Sequence, residues 1–598
     1  MSITEAVCTS RMLFVFVAGA LVVQMVVGFS QVNGSKQVFH RGGGSSVDFA
    51  PGTSGLQYEE LTVPPVRVAD VSNPAQRLTF RLPHRVCSYV LNVGIREIDQ
   101  THPPRLKVQV NNRLAGGFVA TPYYWPEKTH GRDVCEIFIP QSMLNQSSEN
   151  LVEITTSEGY WKGRLLIIPY GVWRQCLPYT LPLTVCLFLG LLLRQSWVRV
   201  DRVMPYAVCA AFFGLYYYSL FTKKMAPIDG FFWDDATDYI GSVISNEYSF
   251  KLGKHMLLFP VMHFLWEAVR PLAGRDLFSL AGAFALISAA NISVAYLWIR
   301  RKTESAAVAL CLVLLYGFSF SIWAFASIYE SYVFTALIVN LFFLSISFLS
   351  VRNRFFRYVL PALLVALSAL AHPPMIVLAG ILGMVVFFED SPGVRKAGRI
   401  VAVALLCGFF FLGGRLLIRM CYNDPGGGND AAVTVAGQVD FAHLAMERYA
   451  GVENMTWSNA GNVVLGQFAY AVGGFPYAFK WYQGWSGFPK YFASIPGVLF
   501  AAGWLVFWVA ALAGAFSSKR FLMKTLFCGV FVLLPYMLFY WYFNPHEMLL
   551  YAAPLVLPVL GWMVLASRLL LKAHFAKLLV FVVFSTVILN TIVLLSYH

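Results

Sequence analysis

Four carboxylates stand within ten residues of this chain, Asp229, Asp234, Asp235 and Asp238, although only 13% of its residues are charged. On a helix, Asp234 and Asp238 share a face, as do Asp235 and Asp238. Crowded carboxylates repel, so one of them holds its proton more tightly, which suits general-base work or a divalent metal. The competing reading is a solvated cluster at a helix start, where Asp is favoured. Lys254 and His255 stand side by side and could hold a phosphate or pass a proton, although a lone histidine is more often structural. Arg415 lies inside an apolar run, where a guanidinium costs about 2.5–3.5 kcal/mol at mid-bilayer on insertion scales and needs a partner. A phosphate would supply one, because the guanidinium grips it bidentately. Snorkelling to headgroups competes, almost equally for Arg419. Glu330, His372, His546 and Glu547 each mark the opening or the break of an apolar run. Helix N-termini attract anions there, and an acid in a first turn also answers the helix dipole. Taken together, Glu330, His372 and Glu547 read as the wall of a cavity.

The elements that must position these groups are membrane helices. The chain has 598 residues, 58% of them hydrophobic and 16% aromatic, a composition that a soluble core cannot absorb. Apolar runs lie near 12–29, 177–194, 203–221, 276–299, 304–322, 331–350 and 358–371, and again near 374–388, 399–418, 494–515, 521–541, 548–566 and 574–595. These predict a polytopic α-helical membrane protein of about thirteen transmembrane helices. The first run, after Arg11, reads as an uncleaved anchor with the N-terminus in the cytoplasm. The short loops then sort by charge. Six are basic, with Arg300, Arg301 and Lys302 in one and Lys519, Arg520 and Lys524 in another. The three between them, around Ala324–Tyr329, His372–Pro374 and Trp541–Glu547, have neither Lys nor Arg. This alternation is the positive-inside pattern. It accounts for the net charge of +14 without nucleic acid as a partner, and it predicts a multi-pass protein of the cell inner or plasma membrane.

Three long segments then fall outside the cytoplasm: 31–173, 222–275 and 419–493. The first predicts an all-β domain. Stretches such as Leu106–Val110 and Leu151–Thr156 alternate apolar and polar residues, and Asn111-Asn112 makes a turn. Short strands at this spacing suggest a β-sandwich. Its aromatics Tyr123, Tyr124, Trp125, Tyr160 and Trp161 could stack on sugars, though packing or the membrane interface is the commoner use. Cys87 and Cys135 could pair if the segment faces an oxidising compartment. The third segment opens on "CYNDPGGGNDAA" and carries Trp457, Trp481 and Trp485 among glycines, as a mobile flap or an interfacial belt would.

Two resemblances follow. The stretch "LKVQVNNRLAGGF … EIFIPQSMLNQSSENLVEITT" resembles jelly-roll, galactose-binding-like modules found beside carbohydrate enzymes. The acidic pair Asp234-Asp235, just after an in-to-out helix in a sizeable outer loop, is followed by many spans and a late outer loop. That arrangement, over residues 200–595, resembles the GT-C superfamily of membrane glycosyltransferases. The resemblance implies an inverting enzyme that takes a sugar from a polyprenyl-phosphate-linked donor and passes it to a glycan, glycolipid or protein acceptor outside the cytoplasm. One of Asp234 and Asp235 would deprotonate or orient the acceptor nucleophile. The inserted β domain departs from a minimal member. The implied organisation is an anchor at 1–30, the β domain at 31–173 and a transmembrane catalytic core at 174–418 with its acidic outer loop at 222–275. The outer loop 419–493 and the final helices, 494–598, complete it. Competing classes are a transporter or flippase for a lipid-linked or small solute and a non-catalytic glycan-binding assembly subunit. The chain shows no internal repeat, and nearly all its ionisable residues lie at span ends, unlike most transporters.

Overall fold

The computed structural model describes residues between 17 and 24 in part, strands between 66 and 170, and 172–193, 200–222, 243 and 255–273. It further describes 276–303, 305–327, 329–347, 355–388, 393–421, 450–474, 494–545, 548–571 and 574–596. The chain divides into two compact units: Val22–Leu181 with Lys224–Trp233, and the remainder of Met1–His598.

Among the described residues the first unit carries eight antiparallel strands in two four-stranded sheets. β1 (Val66–Arg67), β8 (Trp161–Tyr170), β3 (Ser88–Ile98) and β6 (Val134–Ile139) lie side by side in one. β2 (Gln76–Leu82), β7 (Asn150–Thr156), β4 (Arg105–Val110) and β5 (Arg113–Val119) form the other. The period of two is visible in burial: Val108, Val110, Val152 and Ile154 are buried, while Lys107 and Leu151 are exposed. Asn111 and Asn112 both hold positive φ, 50° and 66°, as a two-residue hairpin turn requires and asparagine tolerates. The Asn111 carboxamide fixes that turn to β7 by accepting from Leu151 N and donating to Asn150 Oδ1. Strand β8 was not anticipated from sequence, and Cys87 and the aromatics at 123–125 lie outside the described residues.

The second unit is helical. Its helices are α1 (Val172–Leu193, begun in the first unit), α2 (Val200–Thr222), α3 (Leu258–Ala273), α4 (Asp276–Lys302), α5 (Ala306–Gly317) and α6 (Phe320–Ala326). They continue as α7 (Ser331–Ile346), α8 (Leu360–Ala371), α9 (Leu378–Phe387), α10 (Gly393–Cys421) and α11 (Trp457–Leu465). The last are α12 (Ile495–Phe516), α13 (Lys519–Cys528), α14 (Leu534–Phe543), α15 (Met548–Leu571) and α16 (Phe575–Ser596). Every apolar run from 177 onward coincides with one helix or a helix pair. Among the described residues seven helices are long and apolar enough to cross a membrane, or eight if the bent pair α5–α6 is one span. The chain is therefore a helical, multi-pass membrane protein. The run at 304–322 is not one rod: α5 and α6 meet at 62°. At the bend Gly317 lies so close to Phe212 that a Cβ would stand 2.5 Å from its ring, and Ser319 Oγ donates to Tyr316 O.

Helix α4 packs against α2, α3 and α7, and α15 against α12 and α7. The helix ends sort by charge. At one level Arg300 of α4 forks onto the Asp201 carboxylate of α2 (2.8 and 3.3 Å), and Lys302 lies within electrostatic reach of Lys524 in α13. The opposite ends of α7, α8 and α14, from the basic-free loops, meet the start of α3 in the cluster described next.

Candidate functional site

Three of the predicted site residues, His255, Glu330 and His372, stand at helix ends drawn together at the basic-free level. The His372-Pro373-Pro374 sequence dictates its own break. A residue before proline is pushed to extended backbone, and His372 has φ −155° and ψ 104° where α8 stops. A 3-10 turn, Pro373–Val377, follows. The start of α3 is tied to that break, Leu257 N donating to Leu370 O (3.3 Å). His255 Nδ1 lies 2.9 Å from Ala371 O. A carbonyl only accepts, so His255 carries its proton on Nδ1 and turns Nε2 toward Ser331 Oγ, 3.4 Å away. Ser331 opens α7, and the Glu330 carboxylate before it accepts from Ser331 N (3.3 Å), as a residue capping a helix N-terminus does.

The two imidazoles stack nearly parallel, with centroids 5.8 Å apart and planes 10° from each other. His372 Nε2 shares a 2.7 Å hydrogen bond with the Tyr540 hydroxyl of α14. Tyr551 of α15 stacks on Tyr540 (4.1 Å), and Tyr332 meets His255, His372 and Tyr551 edge-on at about 6 Å. Tyr536 reinforces the join between α14 and α15 by donating to Tyr551 O. His255, His372, Glu330, Ser331 and Tyr540 are all buried. Just before the cluster, burial pushes the Tyr329 phenol above its ordinary pKa and the Tyr217 phenol adds to it, so Tyr329 stays neutral. A burial-shielded set of two imidazoles, a carboxylate and hydroxyls can move protons or bind an anion.

Arg415 is buried on α10, its guanidinium 5.9 Å from the Phe411 ring. The next residue back, Gly414, abuts Leu370 so closely that a Cβ would meet its Cδ1 at 2.6 Å. Gly414 is thus the point of contact with the end of α8, where Leu370 stands two residues before His372. The structure thus gathers His255, Glu330 and His372, with Arg415 on a helix packed at the same level. Asp234, Asp235, Asp238, Lys254, His546 and Glu547 lie outside the described residues.

The chain matches no protein-family model, no curated protein and no solved structure. Nothing but the residues themselves therefore assigns the site. Sequence reasoning missed Ser331, Tyr540 and Tyr551. The available signal was the pair Tyr536 and Tyr540, one helical turn apart in "PYMLFYWYFN", but such a face is lost in so aromatic a run. His263 lies two turns further along the same stretch as His255. Its Nδ1 instead bonds Val243 O (2.7 Å) and its ring packs on Trp266, a structural use. No group of three or more His, Cys, Asp or Glu among the described residues has the arrangement of a metal site.

Proposed function

We propose that this chain is an inverting glycosyltransferase, moving a sugar from a polyprenyl-phosphate-linked donor to a glycan, glycolipid or protein acceptor on the non-cytoplasmic side of the membrane. About thirteen spans hold the catalytic core, and the two sheets pack as a jelly-roll-like sandwich outside the cytoplasm. What supports the reading is the buried layer of His255, Ser331, His372 and Tyr540, the last three at helix ends whose loops carry no cations, beside the arginine-bearing α10. Ends of that kind face away from the cytosol, where lipid-linked donors replace nucleotide sugars. In this scheme Asp234 or Asp235 takes the proton of the acceptor hydroxyl as its oxygen attacks the anomeric carbon, with Asp238 beside them. The departing phosphate is held by Arg415, Lys254, His255 and His372, and Glu330, His546 and Glu547 line the cavity. A divalent metal is compatible with the aspartates.

The test is Asp234→Asn and Asp235→Asn in the full chain, assayed for transfer from polyprenyl-phosphate sugars after membrane insertion is verified. Loss of a general base lowers the rate by about 10²–10⁴-fold. Full activity in both variants overturns the assignment of the base, and labelling that places 229–238 in the cytosol overturns the sidedness.

One observation favours the transporter reading: the broken pair α5–α6, a device that transporters use to expose carbonyls to ions. Here those carbonyls are occupied. Gly317 O accepts from Tyr216 (2.7 Å), Tyr316 O from Ser319, and Phe318 O from Asn590 (2.7 Å). The break is held shut by protein, which leaves the transferase reading the stronger.

A further inference from the structure

We propose that the stretch Val452–Leu465 rests in the membrane interface at the basic-free end of the bundle, with Trp457 inserted among lipid headgroups and upper acyl chains. Val452, Met455 and Trp457 are exposed, to 76%, 39% and 89%. Such a group of large apolar side chains marks a surface with an occupant. The stretch is also fixed in depth. Gly451 N and Asn454 Nδ2 both donate to Tyr542 O (3.2 and 3.0 Å). Trp541 Nε1 donates to Thr456 O (3.0 Å), and the Trp457 and Trp541 rings meet at 6.4 Å. Trp541 and Tyr542 belong to the last turn of α14, which closes the candidate span Phe521–Phe543. The Trp457 ring is thus level with the end of a membrane helix, the depth at which indoles are enriched. Exposed Glu453, Thr456 and Ser458 alternate with these apolar groups, a mixed face of the kind that headgroup depth accommodates, and the level of the ring at the end of a membrane helix favours lipid as its occupant. The inference depends on the membrane reading of α14 and not on the transferase chemistry.

The experiment uses the full chain in phosphatidylcholine nanodiscs, its ten native cysteines replaced. Trp457→Cys and Val452→Cys are each labelled with an environment-sensitive fluorophore. Quenching by a shallow doxyl lipid at least two-fold stronger than by a deep one, with little quenching by iodide, is the expected result. Free quenching by iodide without doxyl quenching overturns the proposal. So does shielding of the label by a soluble oligosaccharide, which would reassign the ring to a glycan. If the cysteine-free background does not fold, the difference in doxyl quenching of intrinsic fluorescence between wild type and Trp457→Phe decides the same question: equal quenching overturns it.

Discussion

Two buried polar networks in the helical unit are built on opposite plans. In the first, Asn590 of α16 uses its whole carboxamide on backbone. Its nitrogen donates to Phe318 O and Val472 O, both at 2.7 Å, and its oxygen accepts from Gly474 N at 2.7 Å. The segment 471–474 is further laced to the bend by Phe320 N donating to Val472 O and Ser321 N to Ala471 O, each at 3.0 Å. The second network joins side chains from four elements, His255, Ser331, His372 and Tyr540, and its members are ionisable or hydroxylic. Neutral amides turned onto main chain satisfy groups that would otherwise be orphaned inside a bilayer, and they change nothing about charge. Imidazoles stacked at helix ends gain less for the fold and remain able to exchange protons. The molecule thus keeps amides spent on main chain apart from a cluster of ionisable and hydroxyl groups.

The sharpest way to break this comparison is Asn590→Leu. Three hydrogen bonds disappear; Phe318 O and Gly474 N lose the amide that pairs them, while Val472 O keeps Phe320 N. At about 1 kcal/mol per bond in general, and about 0.6 kcal/mol between membrane helices, the loss is about 2–3 kcal/mol. Thermal unfolding in nanodiscs should show it as a lowered midpoint, with transfer falling only as far as the folded fraction does. An unchanged midpoint would mean that the bend between α5 and α6 keeps its shape without the clamp.

Tyr540→Phe should do the reverse. It removes one hydroxyl and keeps the ring stacked on Tyr551, so the unfolding midpoint should fall by the equivalent of one hydrogen bond, about 1 kcal/mol, well short of Asn590→Leu. Because His372 Nε2 loses its 2.7 Å partner, transfer should fall by about tenfold in kcat, equivalent to about 1.4 kcal/mol of barrier. A loss of midpoint comparable to that of Asn590→Leu, with kcat intact, would place Tyr540 among the holding groups.

These two networks were not equally legible in sequence. Glu330 and His372 could be singled out because each interrupts an apolar run, His372 also because prolines follow it, and His255 because it stands beside Lys254. The approach of Glu330 and His372 was implied only by parity: both stand at loops without Lys or Arg, and helices that alternate in direction bring like ends together. The strands of the β unit were legible where alternation was clean, as in β4 and β7, and the Asn111-Asn112 turn because so few residues accept positive φ. Asn590 gave no signal, since a single amide in an apolar helix has no period or spacing to mark it. The bend at Phe318 was hidden for the same reason: no proline announces it, and its cause is a crowded Gly317 with a partner segment some 150 residues later, as in Ser321 to Ala471. Tertiary pairing, not local propensity, decides both.

Gln467 sharpens the comparison at its smallest expected effect. It lies in the π-turn Gly466–Tyr470, a helical irregularity packed against α15, the helix that carries Tyr551. It is 1% exposed, and neither its Oε1 nor its Nε2 has a hydrogen-bond partner among the described residues. A buried amide left unpaired carries a desolvation penalty of about 1–3 kcal/mol. Methionine has nearly the same shape and no such penalty. Gln467→Met should therefore raise the unfolding midpoint, by the equivalent of about 1 kcal/mol once imperfect packing is subtracted. A fall of that size would mean that an ordered water satisfies the amide, and Gln467 would join Asn590 as a holding group. A rise accompanied by weaker transfer would instead align it with His372 and Tyr540, because a site that keeps a polar group unsatisfied at rest trades stability for contact with what it binds.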